Sequence, residues 1–248
     1  MFEGASVLVT GGTRGIGKAT ALRFASLGAR RIALGYMRGD RAAEETAAEL
    51  AKRGVETTLV RGNVASQRIA EEVAGLGPVD VFVHAAATGV IRPALETEEK
   101  HWDWTLAANA RAFLSLTRSL APAMPEGSSI VAISSLGSIR VLENYALVGA
   151  SKAAMEALVR YLAVELAPDG IAVNAVSAGV VETGALDHFP RKDAMLALGR
   201  RNPVGRLVTP EDVAASITFL CSPDASMIRG QTLIIDGGGS LLLPMEGD

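Results

Sequence analysis

Seven short, mostly apolar runs alternate with longer stretches of helical periodicity, and this alternation limits the fold more than any other feature of the chain. The runs cover residues 5–10, 31–36, 55–61, 79–84, 129–133, 171–176 and 231–235. Runs this short and apolar at successive positions suit strands covered on both faces. Between them lie a helix reaching residues 27–28, an Ala/Glu-rich helix over 40–53, a short helix over 66–74 and a long one over 97–121. A further helix spans 153–167, and Thr209-Pro210-Glu211-Asp212 opens another that runs to residue 220. There is no linker and no shift in composition. The pattern predicts one α/β domain over residues 1–248: a doubly wound Rossmann fold with a seven-stranded parallel sheet and helices on both faces. Ligands of such sheets lie outside the carboxyl ends of the strands. Residues 184–202 also look helical but contain Pro190, which predicts two short helices around a break. The segment 184–205 is expected to be a substrate-binding helical insertion.

A chain of 248 residues, 49% of them apolar, can bury a sizeable core. No run of eighteen apolar residues occurs, so no membrane-spanning helix is expected. The first strand begins almost at once and leaves no room for a signal peptide. Cys221 is the only cysteine, which fits a reducing cytoplasm. His84, His101 and His188 lie far apart and match no metal-ligand spacing, so no metal is expected. A net charge of −3 argues against a nucleic-acid partner.

The first strand runs into Gly11-Gly12-Thr13-Arg14-Gly15-Ile16-Gly17, and a helix follows. Such glycines either make an ordinary tight turn or let the backbone approach a pyrophosphate that faces the helix N-terminus. The second strand ends Gly35-Tyr36-Met37-Arg38, with no acid before Asp40 to bind a ribose 2′-hydroxyl. Arg14 and Arg38 are either solvated or hold a 2′-phosphate. Asn63, after the third strand, either caps its loop or turns its amide to an adenine edge. After the fourth strand, small residues from Ala85 and Ala86 onward leave space for a ribose and a nicotinamide. His84 reads as a packed, hydrogen-bonded residue rather than a catalyst. Trp102 and Trp104 cannot share a helical face, so one is expected in the core and the other outside. Asn109 is polar within an apolar stretch, where it caps, faces water, holds a water or bends the helix.

The stretch from Ser134 to Lys152 joins hydroxyls at a strand end to a helix carrying Tyr145 and Lys152. Seven residues make nearly two turns, so both side chains can share a face about 10.5 Å apart in rise. An ammonium near a phenol lowers the phenol's pKa from its usual value of about 10 and makes it a proton donor nearer neutrality.

In chain order, the glycine turn, Asn63-Val64, Asn109, Ser134-Ser135, the Tyr/Lys helix and Val173-Asn174-Ala175-Val176 resemble the short-chain dehydrogenase/reductase superfamily over essentially the whole chain. The resemblance implies that Gly11, Thr13, Arg14, Gly15, Ile16 and Gly17 surround the cofactor phosphates. It places Asn63 and Val64 beside the adenine and Gly179, Val181 and Thr183 near the carboxamide and phosphates, with Lys152 on the nicotinamide ribose. Two features depart from the usual pattern. His84-Ala85-Ala86-Ala87 replaces Asn-Asn-Ala-Gly, and Val148 stands where Tyr-x3-Lys would put the tyrosine. The spacing Tyr145-x6-Lys152 resembles bacterial enoyl-acyl-carrier-protein reductases. Residues 99–104, 134–145 and 186–190 look most like the NADPH-dependent enoyl-acyl-carrier-protein reductase III group. That likeness implies reduction of trans-2-enoyl thioesters on an acyl carrier protein (or coenzyme A) in fatty-acid synthesis, with NADPH. It makes Tyr145, Lys152, Ser135 and Asn109 the catalytic set.

The same likeness implies a homotetramer. One two-fold would pair the helices 97–121 and 145–167, and the other residues 231–235 with Leu241-Leu242-Leu243. Arg191, Lys192, Arg200 and Arg201 would offer an acidic carrier a basic patch. A 3-oxoacyl or secondary-metabolite ketoreductase, or a non-catalytic dinucleotide-binding protein, are the other readings.

Overall fold

In the computed structural model, which describes residues 1–189 and 191–242, all seven strands join one parallel sheet. They are β1 (Ser6–Thr10), β2 (Arg31–Tyr36), β3 (Glu56–Arg61), β4 (Val81–His84), β5 (Ser129–Ser135), β6 (Ala172–Ala178) and β7 (Thr232–Ile235). Their order across the sheet is β3-β2-β1-β4-β5-β6-β7. The winding reverses between β1 and β4, which opens a crevice at the carboxyl ends of those two strands. This is the doubly wound arrangement that the alternation of runs predicts.

Successive side chains of a strand point to opposite faces, and the two cores follow that rule. On one face Val7 and Val9 of β1 meet Phe24 of α1 (Gly15–Ser26), Leu50 of α2 (Asp40–Ala51) and Ile217 of α8. On the other, Leu8 of β1 and Phe82 of β4 belong to a core with Ile69 of α3 (Gln67–Ala74), Phe113 and Leu116 of α5 and Met155 and Val159 of α6. Here α5 is Ala112–Leu120, α6 is Ala146–Glu165 and α8 is Pro210–Leu220, while α4 is Glu99–Leu106 and α7 is Lys192–Arg200. Phe24, Phe82 and Phe113 are fully buried, and each such side chain contributes about 1.5–3 kcal/mol relative to exposure. Thr209 caps α8 as its sequence suggests: its hydroxyl accepts from Asp212 N at 3.1 Å, and Asp212 accepts from Thr209 N at 2.9 Å. Buried Asn174 fastens the entry to β7 by donating to Ile228 O (2.7 Å) and accepting from Gln231 N (3.0 Å).

The expected single helix over 97–121 is divided. Between α4 and α5 the chain takes one wide π turn, Ala107–Arg111, with Asn109 fully buried inside it. The core also omits the tryptophan expected in it. Trp102 and Trp104 are both 48% exposed, because α4 turns Thr105 inward instead. The broken helical segment is present as a 3-10 turn, Gly184–His188, followed by α7; Pro190 lies outside the described residues. Among the described residues no helix is long and apolar enough to cross a membrane.

Candidate active site

The glycine turn is built so tightly that a side chain cannot enter it. A Cβ at Gly17 would stand 2.1 Å from Gly11 O, and one at Gly11 would stand 2.9 Å from both Ala85 O and Ala86 N. Gly11 also has φ +68°, in the left-handed region. The turn therefore lies flat against the loop after β4, leaving space over the start of α1. No side chain caps that start, and no acid occupies its first turn. Its free N–H groups and positive dipole end favour an anion. Across the crevice, Thr183 Cγ2 would be 3.4 Å from a Cβ at Gly15, so the loop after β6 closes the same space. Val181 in that loop bridges to Val208, and Gly179 packs under Asp236. Thr13 is buried, and Ile16 and Ala85 pack on the core below. Ala86 N donates to Thr10 Oγ1 at 3.2 Å, and that hydroxyl also bonds His84 Nδ1 at 3.0 Å.

The outer part of the crevice carries unpaired positive charge. Arg14 and Arg38 are exposed and make no ion pair among the described residues. Asp40, the first acid after β2, pairs instead with Arg61 at 3.2 Å. Asn63 caps its loop, its Oδ1 accepting from Ala65 N at 3.0 Å, which leaves the amide N–H groups to face a ligand. Val64 packs on the second core. These residues fit a dinucleotide carrying a pyrophosphate and a further phosphate.

At the inner end, Tyr145 sits one residue before α6 rather than on it. Asn144, at φ +60°, turns the chain into it. The phenol ring lies over Gly137, where a Cβ would be 2.5 Å from Tyr145 Cδ1, and stacks on Phe189 with centroids 5.8 Å apart. Burial pushes the Tyr145 phenol above its ordinary value, and the Ser135 hydroxyl opposes the rise. The sequence predicts the opposite direction. The expected effect of Lys152 is absent because the ammonium points elsewhere, donating to Ile133 O at 2.6 Å. At neutral pH the phenol is thus a protonated hydrogen-bond donor. Lys152 is 4% exposed, and burial brings it down to about 8 although Glu156 acts to raise it. One of its three N–H donors is used by Ile133 O, so two can reach a ribose diol.

Ser135 Oγ accepts from Gly137 N at 3.2 Å and so shapes the turn beneath the phenol. Asn109 works mainly on backbone. It accepts from Thr88 N (2.9 Å) and donates to Thr88 O (2.8 Å) and to Ser151 Oγ (2.8 Å). It thereby ties the π turn to the loop after β4 and to α6. His84 is buried, and burial lowers it to about 3, so it is a neutral, packed residue. Val148 is buried as well: a Cβ at Gly89 would be 2.2 Å from Val148 Cγ2. No hydroxyl stands at that position.

The structure gathers all the predicted site residues along one edge of the sheet. It does not gather the basic patch intact. Arg191 pairs with Glu143 at 3.2 Å and Lys192 with Asp187 at 2.6 Å, so nearby acids neutralise both. The sequence reading passed over Ser151 and Glu156. Glu156 is buried, and its Oε1 accepts from Ser134 and from Ser138 (2.7 Å). Its signal was an acid four residues after Lys152 on an otherwise apolar helix face.

Known proteins resemble the chain over nearly its whole length. A family model described as enoyl-(acyl carrier protein) reductase matches residues 11–240. The 1-cyclohexenylcarbonyl-CoA reductase of Streptomyces collinus is 36% identical over 245 residues, covering 96% of this chain and 87% of the relative. A short chain dehydrogenase from Burkholderia cenocepacia, solved in complex with NADP, superposes with a TM-score of 0.87 at 30% identity, covering 96% of this chain and 99% of that one. An enoyl-[acyl-carrier-protein] reductase (NADH) from Aquifex aeolicus gives a TM-score of 0.89 at 27% identity, over 98% and 99% of the two chains.

Asn109→Ala would leave the N–H and C=O of Thr88 without their partner. The expected cost is about 1–3 kcal/mol, a fall of roughly 2–12 °C in Tm for a chain of this size. Scanning calorimetry checks it, and an unchanged Tm would overturn the structural role given to Asn109.

Proposed function

The chain belongs to the short-chain dehydrogenase/reductase superfamily, and from that membership we propose that it reduces the 2,3 double bond of trans-2-enoyl thioesters with NADPH. That it is an oxidoreductase follows from the family. The choice of an enoyl substrate rests on one observation: the buried phenol is that of Tyr145, while position 148, one turn nearer Lys152, holds Val148 sealed against Gly89. Reducing a ketone needs a proton donor beside the carbon that gains hydride. Reducing an enoyl thioester needs a donor farther off, because negative charge develops on the thioester oxygen while C3 is reduced.

Bound NADPH supplies the hydride. Tyr145, kept protonated by burial, donates to the thioester oxygen as its charge grows. Its ring is held by Gly137 and Phe189, so the donor is oriented before the substrate arrives. Lys152 holds the nicotinamide ribose with its spare N–H donors. Asn109 and Ser135 keep the surrounding backbone in place. The 3-10 turn Gly184–His188 and α7 form the wall that meets the acyl chain. The proton for C2 comes from solvent as the enolate collapses.

Arg14 and Arg38 support NADPH, since neither is tied to an acid and Asp40 is held by Arg61. The Burkholderia cenocepacia structure contains NADP, in keeping with that choice. A coenzyme-A thioester suits the surface better than a carrier protein, because Arg191 and Lys192 are already paired, and the Streptomyces collinus relative is named for a CoA thioester. An acyl carrier protein is the second form of substrate. The assembly we propose is a homotetramer. In its support, Tyr161 and Val164 on α6 are 69% and 74% exposed, and Leu241 and Leu242 beyond β7 are exposed as well. Leu243 lies outside the described residues.

Three measurements test this. Light scattering should give four times the chain mass, and a monomer would sink the assembly. Arg38→Ala should remove about 1.5–3 kcal/mol of NADPH binding and leave NADH binding nearly unchanged; equal losses would deny Arg38 the phosphate. Tyr145→Phe keeps the ring stacking and removes only the hydroxyl. NADPH affinity should hold while kcat for a crotonyl thioester falls roughly 10²–10³-fold. Near-normal turnover by this variant, or brisk 3-oxoacyl reduction by the wild type, would favour a ketoreductase instead.

A further inference from the structure

Glu156 is 7% exposed, and no cation lies in ion-pair contact with it among the described residues. A buried carboxylate without such a contact needs hydrogen bonds and a reason to be there. The hydrogen bonds come from Ser134, the penultimate residue of β5, and from Ser138 Oγ at 2.7 Å, both to the same oxygen. These two residues bracket the turn that supplies Ser135 and Gly137 to Tyr145. The Ser138 hydroxyl also lies 2.8 Å from Ser135 O, so its one proton is shared between that carbonyl and Glu156. Glu156 therefore clamps the floor of the phenol's seat onto α6.

It also stands one helical turn beyond Lys152 on the same helix, with both side chains buried. The titratable and charged groups around the pair are few. His84 faces Lys152 from β4 and is neutral. The Tyr145 phenol is protonated at neutral pH. Arg160, one turn farther along α6, is exposed and borders a recess of about 280 Å³ that Glu156 and Ser138 also line. Glu156 thus acts from within the same helix to keep the proton on Lys152 against the effect of burial.

We propose that Glu156 is a positioning residue for the reaction, fixing the strand-end turn beneath Tyr145 and supplying the negative charge that faces Lys152. The inference deepens the proposed function and rests on its use of Lys152. Without that charge the ammonium is harder to keep protonated, and its affinity for the proton falls. Lys152 would then lose its proton at lower pH than in the wild type, where burial already brings it down to about 8.

The test uses Glu156→Gln, which keeps volume and an acceptor oxygen for the serines, and Glu156→Asp, which keeps the charge. The chain has five lysines, so the Lys152 titration can be followed by NMR in cofactor-free protein labelled at lysine Cε and assigned with Lys152→Met. In Glu156→Gln the titration should drop by about one pH unit, while Glu156→Asp stays near the wild type. The alkaline limb of kcat/KM, which reports the free enzyme, should shift down by the same amount in Glu156→Gln alone. An unmoved Lys152 titration in Glu156→Gln would overturn the inference, reducing Glu156 to a clamp on two serines. If the titration moves and the limb does not, Glu156 does act on Lys152, but turnover does not depend on Lys152, and the functional reading of the site fails instead.

Discussion

A buried ammonium beneath the sheet's carboxyl edge governs the arrangement of this site. Lys152 lies almost wholly out of solvent with one hydrogen bond among the described residues, to Ile133 O. Charge in such a place is costly unless its surroundings are built for it. The helix that carries it brings Glu156 one turn away, and β4 brings an imidazole held neutral by burial. The strand that accepts its hydrogen bond continues into the serines and the glycine that seat Tyr145. Sheet edge, helix and phenol are therefore fixed together by the need to accommodate one charge.

The cofactor side depends on a different constraint, absence of volume. Gly11 and Gly17 touch through backbone atoms, and the loop after β4 rests on Gly11. This close approach leaves the start of α1 uncapped and open. The space is made here by what the side chains leave out, and Arg14 and Arg38 at its rim make no ion pair among the described residues.

Much of this was legible in the sequence because it is local. Strand runs, the glycine turn and the Thr209 cap each announce themselves within a few residues. What escaped depends on partners distant in sequence. The π turn exists with Asn109 bonded to Thr88 and Ser151, 21 and 42 residues away. The basic patch is quenched in part by Glu143, 48 residues from Arg191. Spacing alone gives the wrong direction for the Tyr145 shift, because it says nothing about where an ammonium finds its acceptor. Here the acceptor is on β5, and Tyr145 precedes the helix. Trp102 and Trp104 share that lesson, for periodicity separates their faces without saying that either is covered.

The wide turn between α4 and α5 acts as a phase shift. One residue more than a regular turn rotates everything after it by about 100° relative to the helix before it. With that rotation α4 turns Thr105 inward, while α5 delivers Phe113 and Leu116 to the second core. A chain shortened by one residue between 107 and 111 would regain a regular helix and keep both flanking faces, but it would lose the widened turn that carries Asn109 inward to Thr88. The two halves thus read as helices in different frames, joined where Asn109 turns inward, so length at this point is as much a part of the site as the residues themselves.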